Sequence, residues 1–223
     1  MNRHVFPAGL ALIGALVAAP SHAAVSSTFD ADADGWSAVD LVYNGDYLAA
    51  GTLYAVVHGD GGNPGGNISA ADPSDQSFFF QAPGKFLGNL GAYYGGSLAF
   101  DQRVIPATPE WRDDPDVILG GNGLQLLFRG ASNPDTNWTS FSVALNESAW
   151  HLGTLDGTAP TEAQFRSVLG DLTVLRIRGE YVAGVVETTS LDNVVLTAVP
   201  EPGTWALLGA GLGLIGWQAR RRG

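Results

Sequence analysis

The twelve residues from Val117 to Phe128 read VILGGNGLQLLF. Apolar residues stand at every second position on either side of a glycine-rich centre: Val117 and Leu119 before it, and Leu124, Leu126 and Phe128 after it. Alternation with a period of two buries one face of an extended strand, and glycine with asparagine favours a tight turn. The stretch therefore predicts two short antiparallel strands.

The same alternation recurs along the chain, and clusters of turn-forming residues separate its occurrences. The alternating sets are Leu98 and Phe100; Phe141, Val143 and Leu145; Leu175 and Ile177; Val194 and Leu196. Many short antiparallel strands with one buried face pack most naturally as two layers. The sequence therefore predicts an all-β fold, an antiparallel two-sheet β-sandwich.

One segment, Thr161 to Leu169, predicts a short helix. Thr161 and Gln164 have the spacing of a capping box, apolar residues follow at helical spacing, and Gly170 is expected to end the helix. We interpret this helix as a connection between strands.

Composition narrows the class of protein. The chain has 223 residues, 45% of them hydrophobic and only 15% charged, which indicates one folded domain rather than a disordered chain. Its net charge of −11 makes nucleic acid an unfavourable partner. It has no cysteine, which excludes disulfides, thiol catalysis and zinc–thiolate sites.

The N-terminus has the order of a secretory signal peptide. A basic start is followed by an apolar run from Val5 to Ala19 and by a site with small residues that ends at Ala23. We interpret residues 1–23 as a signal peptide that is removed on export. An uncleaved anchor is the alternative, although the apolar run is short for a membrane span.

Residues 199–223 form a tail with three parts. They are the motif Pro200-Glu201-Pro202, an uncharged stretch from Trp205 to Trp217, and the cluster Arg220 to Arg222. The combination resembles the PEP-CTERM sorting signal of Gram-negative bacteria. The resemblance implies export across the inner membrane, processing by an exosortase, and delivery to the cell surface or extracellular matrix. As a helix the uncharged stretch would be about 20 Å long, shorter than a ~30 Å hydrocarbon core, so membrane attachment through it would be weak.

A second resemblance covers the domain between these signals, residues 24–198. Its motifs in chain order are Phe29-Asp30, Asp34-Gly35-Trp36, Gly61 to Ile68, Phe79 to Gly88, Gly95 to Phe100, Asp116 to Gly121, Trp150, Leu175 to Tyr181 and Leu191 to Val194. Their order and spacing resemble the laminin IV type A (laminin B) domain. The resemblance implies an extracellular, non-catalytic sandwich related to the jelly rolls of carbohydrate-binding modules. Laminins embed this domain among cysteine-rich repeats, which this chain lacks, so their partners do not carry over.

The stretch Asp30-Ala31-Asp32-Ala33-Asp34-Gly35 places alternate carboxylates before a glycine, a pattern that can wrap oxygen ligands around Ca²⁺. It is not a complete EF-hand loop, because Leu41 stands where a bidentate glutamate is required. Related jelly rolls often bind a structural Ca²⁺ between the first strand and an acid on the last, which implies Asp192 as a partner. A calcium site of Asp30, Asp32, Asp34 and Asp192 is one hypothesis, and a solvated acidic turn is the other.

Two further patterns predict structure rather than chemistry. Gly59 to Asn67 is expected to form a tight loop, because no Lys-Ser/Thr pair follows that would indicate a phosphate site. Arg176, Arg178 and Glu180 alternate on one face of a strand, which predicts a solvated ladder of charges.

Few residues are available for catalysis. Once the signal peptide is removed only His58 and His151 remain, and neither lies beside a nucleophile motif. The sequence therefore predicts a protein that is not an enzyme. A polysaccharide-degrading enzyme with paired carboxylates is the alternative, and the available acids are Glu110, Asp113, Asp114, Asp116 and Glu180.

Three tryptophans in polar, loop-like stretches are candidates for glycan binding: Trp111, Trp138 and Trp150. Sugar C–H faces stack on aromatic rings, although burial in the sandwich core is the common fate of tryptophan in such folds. The leading hypothesis is an extracellular module that binds exopolysaccharide or another matrix component. A structural matrix protein without a discrete ligand is the rival.

Overall fold

The computed structural model describes residues 22–41, 45–74, 76–107, 113–182 and 184–199. Within these residues there are thirteen strands, one α-helix and two short 3-10 helices. The strands are β1 (Val25–Ser27), β2 (Ser37–Leu41), β3 (Thr52–Ala55), β4 (Val57–Asp60), β5 (Gly66–Ala71), β6 (Ser77–Gln81), β7 (Ser97–Ile105), β8 (Val117–Gly121), β9 (Leu124–Phe128), β10 (Thr139–Ala144), β11 (Trp150–Leu152), β12 (Leu172–Arg178) and β13 (Thr188–Thr197). The helix is α1 (Glu162–Gly170), and the 3-10 helices are Gly84–Phe86 and Gly91–Tyr93.

The predicted hairpin at residues 117–128 is confirmed as β8 and β9. Val117 lies opposite Phe128 and Gly121 opposite Leu124, so only two residues form the turn. These are Asn122 and Gly123, with φ angles of 49° and 72°. Positive φ at both central residues is the type I′ geometry that suits the twist of a hairpin, and asparagine with glycine adopts it most readily.

The described strands form two antiparallel sheets, which confirms the predicted sandwich. Sheet A has the order β10-β7-β13-β5-β4, with β1 also paired to β13. Sheet B has the order β11-β9-β8-β12-β6-β2-β3. Only Val56 separates β3 from β4, so the chain passes from the edge of one sheet to the edge of the other in a single residue.

The main core lies between the two sheets. Successive residues of β6 point to opposite faces of sheet B and so belong to different apolar clusters. Phe78 and Phe80 are buried in the main core, whereas Phe79 belongs to a separate apolar cluster on the other face of sheet B. That second cluster also contains Val39, Leu41, Ile118 and Leu127. Sheet B is therefore buried on both faces.

The predicted helix is confirmed as α1, together with its capping box. The backbone N–H of Gln164 donates to Thr161 Oγ1 at 3.3 Å, and the N–H of Thr161 donates to Gln164 Oε1 at 2.9 Å. Phe165 is buried in the main core with its ring edge-on to Trp150. The helix therefore packs against β8 and β9 and contributes Phe165 to the main core.

A covering segment, residues 45–50, packs on the outer face of sheet B. Tyr47 belongs to the outer apolar cluster, and its carbonyl accepts a hydrogen bond from Arg176 of β12. The prediction of a solvated ladder at Arg176, Arg178 and Glu180 is therefore wrong, since all three are buried. Alternation places Arg176 and Arg178 on one face of β12, but it does not show that Tyr47 covers Arg176 or that Asp116 pairs with Arg178.

The predicted sorting tail from residue 200 onward, and all of the predicted signal peptide except His22 and Ala23, lie outside the described residues. In the part of the chain that the structure describes, no helix has the length and hydropathy needed to cross a membrane.

Candidate functional site

Two carboxylates face each other on the outer face of sheet A. Asp101 of β7 lies directly opposite Asp192 of β13 in the strand ladder. Both are buried, with 8% and 0% of their surfaces exposed. Like charges directly opposite on neighbouring strands destabilise a sheet, so this pair needs compensating partners.

Asparagine amides supply those partners from two directions. The backbone N–H of Asn63 donates to Asp192 Oδ2 and that of Asn193 donates to Asp192 Oδ1, each at 2.6 Å. The side-chain amides of the same asparagines donate to Asp101 Oδ2 at 3.2 and 2.9 Å. Burial raises the pKa of Asp192, and the charges of Asp101 and Asp30 raise it further, while the two backbone hydrogen bonds oppose the rise.

The Gly61 loop, residues 61–65, carries Asn63 and lies over the acid pair. It confirms the centre of the tight loop predicted at Gly59 to Asn67, whereas the ends of that stretch pair as β4 and β5. A Cβ at Gly62 would overlap the carbonyl oxygen of Gly66 and lie 2.6 Å from Asp192 Oδ2. Only glycine therefore allows the backbone to approach the carboxylate this closely.

The acids predicted to bind calcium separate into two places. Asp30 comes near the acid pair, and its Oδ1 accepts the N–H of Gly66 at 3.4 Å. Asp34 instead forms an ion pair with Lys85 and accepts the hydroxyl of Ser27 at 2.7 Å. Burial raises the pKa of Asp34, but the hydrogen bonds from Lys85 and Ser27 and the charge of Lys85 outweigh it, so that pKa lies below its ordinary value.

Asp32 forms a hydrogen bond within its own turn, since its Oδ1 accepts the backbone N–H of Asp34 at 2.7 Å. Sequence reasoning missed Asp101, which joins the cluster only through the register of β7 against β13. Among the described residues, no three His, Asp or Glu side chains converge as a metal-binding group. Calcium binding stays a prediction.

The three tryptophan candidates have different surroundings. Trp150 is 1% exposed, and its ring packs against Phe128 and Phe165, so it is core and offers no face to a glycan. The prediction for Trp150 is corrected accordingly. Trp111 lies outside the described residues.

Trp138 is half-buried immediately before β10 and is fixed on two sides. Its indole N–H donates to the carbonyl of Gly61 at 3.1 Å, and the guanidinium of Arg103 lies 4.7 Å from its ring centre. The Gly61 loop that covers the acid pair therefore also orients this tryptophan.

The acids considered for catalysis are bonded to protein donors. Asp116 pairs with Arg178 at 3.2 Å and accepts the N–H of Gly130 at 2.6 Å; burial raises its pKa, although Arg178 opposes the rise. Asp114 accepts the hydroxyls of Tyr47 and Ser77 at 3.1 and 2.6 Å.

Glu180 is buried, and Glu110 lies outside the described residues. The two candidate histidines each place a ring nitrogen 2.8 Å from a backbone carbonyl: His58 from that of Phe29 and His151 from that of Gly157.

The family model for Laminin B (Domain IV) matches residues 79–206, more than half of the chain. The chain belongs to the laminin B (domain IV) family. A second model, the PEP-CTERM protein-sorting motif, matches residues 198–222 of this laminin B chain. Both resemblances noted in the sequence are thus confirmed. The sorting motif marks the chain for export to the cell surface or extracellular space of a Gram-negative bacterium.

Laminin chains are among the relatives of this laminin B domain. Laminin subunit gamma-2 of Homo sapiens is 35% identical over 176 residues, which cover 77% of this chain and 13% of the relative. Laminin subunit gamma-1 of Xenopus tropicalis is 30% identical over 191 residues, which cover 79% and 11%. This chain therefore spans only about an eighth of the length of the curated relatives it matches.

A solved structure shares the fold. The L4b domain of human laminin alpha-2 superposes with a TM-score of 0.63 at 18% identity, covering 80% of this chain and 98% of the L4b chain. The predicted jelly-roll sandwich is confirmed at the level of the fold.

Proposed function

We propose that this protein is a non-enzymatic, exosortase-processed component of the cell surface or extracellular matrix whose laminin B domain binds glycan. The observation that supports glycan binding is Trp138, which is half-buried, held at its indole N–H and stacked with Arg103. A fixed aromatic ring costs little conformational entropy when a sugar stacks on it. The membrane is a transient partner of the tail during sorting.

Groups around Trp138 suit hydroxyl recognition. The Gly61 loop brings Asn63 to the acid pair beside it, and Arg103 adds a guanidinium with several donors. An aromatic ring with a guanidinium beside it offers both stacking and hydrogen-bond donors to one sugar unit.

We also propose a structural Ca²⁺ at the acid pair of Asp101 and Asp192, where the charge of Asp30 also acts on Asp192. The donor set is all oxygen and carries net negative charge, which fits a hard cation. Bound Ca²⁺ would supply positive charge between opposed carboxylates, where asparagine amides now donate hydrogen bonds.

Affinity electrophoresis of the full chain in mild detergent, against the producing bacterium's own exopolysaccharide, tests glycan binding. We expect retardation of the parent protein and a loss of at least about tenfold in apparent affinity for Trp138→Ala, equal to about 1.4 kcal/mol. The matched control is Tyr94→Ala, since Tyr94 is also half-buried and lies under an arginine, with Arg166 3.7 Å from its ring centre.

The outcomes separate the three classes of function. Glycan binding at Trp138 is supported if Trp138→Ala abolishes the retardation and Tyr94→Ala preserves it. No retardation of the parent favours a structural protein without a discrete ligand, and shortening of the polymer would identify an enzyme.

A further inference from the structure

A divided groove runs along the outer face of sheet B, beside the covering segment. Its two halves have volumes of about 330 and 340 Å³. Both halves are lined by Asp113 and Arg129, which form an ion pair between them. Trp138 lines neither half, so the groove is separate from the Trp138 surface.

The first half has a buried polar floor and a polar wall. Asp114 and Tyr47 line its base, joined by a hydrogen bond of 3.1 Å. Thr154 and Asp156 form part of the wall. Because the floor groups are already fixed by their own hydrogen bonds, a ligand would meet a preorganised surface.

The second half follows the loop that leaves β9. Ser132 and Asn133 line it together with Arg178, whose guanidinium is held by Asp116 at 3.2 Å and by the carbonyl of Glu180 at 2.6 Å. Acceptors dominate the first half and donors the second, so the groove presents both kinds of group along its length.

We infer that the divided groove binds an uncharged, hydroxyl-rich glycan, with one sugar unit in each half. The inference rests on the proposed function for the class of ligand and adds a site and a charge preference to it. The volumes of the two halves lie at the lower end of the ~300–1,000 Å³ that small-ligand sites have, which suits one sugar unit in each half.

Charge selects an uncharged ligand over an acidic one. Among the described residues that line the groove, the acids Asp113, Asp114 and Asp156 outnumber the arginines, and the chain carries a net charge of −11. An anionic polymer would be repelled by both. Neutral sugar hydroxyls act as donors and acceptors at once, so they match carboxylates and guanidinium groups alike.

The ion pair between the halves can be altered without harming the fold. The side chains of Arg129 and Asp113 are 42% and 81% exposed, and such pairs contribute little to stability. Arg129→Gln and Asp113→Asn keep shape and remove charge. Arg166→Gln is the matched control, because Arg166 pairs with Glu162 on α1 at similar exposure, 49% and 58%.

The test is affinity electrophoresis of the full chain in mild detergent. The producing bacterium's matrix polysaccharide is first separated on an anion exchanger into a neutral and an acidic fraction. We expect the neutral fraction to retard the parent protein. Apparent affinity should fall about tenfold or more in Arg129→Gln and in Asp113→Asn, and stay within about twofold in Arg166→Gln, since hydrogen bonds to charged groups are the strong ones.

Each other outcome overturns the inference in a recognisable way. Equal retardation of all variants by the neutral fraction would remove the groove as the site. Retardation by the acidic fraction alone would make the ligand class wrong. Loss in Trp138→Ala with binding preserved in Arg129→Gln would leave the proposed function standing and reject the groove, whereas no retardation of the parent would reject both.

Discussion

The outer faces of the two sheets bury charge in opposite ways. On sheet A, Asp101 and Asp192 share one sign and are held by amide donors from Asn63 and Asn193. On sheet B, Arg178 meets a carboxylate of opposite sign at 3.2 Å. The difference indicates that an opposite charge balances the buried carboxylate on sheet B, whereas neutral amide donors hold two carboxylates of like charge on sheet A.

The largest expected effect comes from removing the cation of the buried Arg178–Asp116 pair on sheet B. Arg178→Met should destabilise the protein by about 3–5 kcal/mol, because it leaves Asp116 buried without its cation. Thermal unfolding of the full chain should show a fall in melting temperature of about 6–20 °C. Arg129→Gln, at an exposed ion pair, should cost at most about 1 kcal/mol.

A double variant separates the effect of the lost charge from the effect of the lost side-chain packing. Arg178→Met with Asp116→Leu removes both charges, so it should be more stable than Arg178→Met alone. If the double variant is no more stable than the single one, loss of the side-chain packing of Arg178, and not its charge, explains the effect.

Calcium binding at the acid pair of sheet A should have an intermediate effect on stability. At a hundredfold excess over its Kd, Ca²⁺ should stabilise by about 2.7 kcal/mol and raise the melting temperature by about 5–10 °C. Asp192→Asn and Asp101→Asn should abolish most of this shift. Asp34→Asn should preserve it, because Asp34 is bonded to Lys85 and Ser27.

Scanning calorimetry in millimolar Ca²⁺ against EDTA measures the shift. An unchanged melting temperature would reject the calcium site, as would an equal shift with Mg²⁺ or with added salt alone. A shift that Asp34→Asn abolishes would instead favour the cluster first expected from the sequence.

The smallest effect concerns the loop that covers the acid pair. Gly62→Ala should destabilise by about 1–3 kcal/mol, because its Cβ would overlap the carbonyl of Gly66. Gly59→Ala is the control, since a Cβ there meets no atom within 4 Å. Chemical denaturation should separate the two variants, and equal midpoints would show that the loop can shift at little cost.

Local patterns predicted much of the fold because their causes are local. The Asn122-Gly123 turn follows from the φ angles that only certain residues adopt, and the α1 cap follows from two side chains three residues apart. The charges of β12 were misjudged because their partners come from distant parts of the sequence: Tyr47 covers Arg176, and Asp116 pairs with Arg178.

The candidate site was harder to predict for the same reason. Asp101 and Asp192 are 91 residues apart and meet only through strand register, which no spacing rule fixes. Trp150 and Trp138 both follow polar stretches, yet the ring of Trp150 enters the core beside Phe165. Sequence identified the residue types correctly and could not decide which of them face solvent.

The position of β13 has a mechanical consequence for a protein with a sorting tail. This strand pairs with β1, β5 and β7, and it ends at Thr197, where the sorting motif begins one residue later. Tension on an attached tail would therefore pull along a central strand and load several hydrogen-bonded ladders together in shear. An edge strand would instead open one bond at a time.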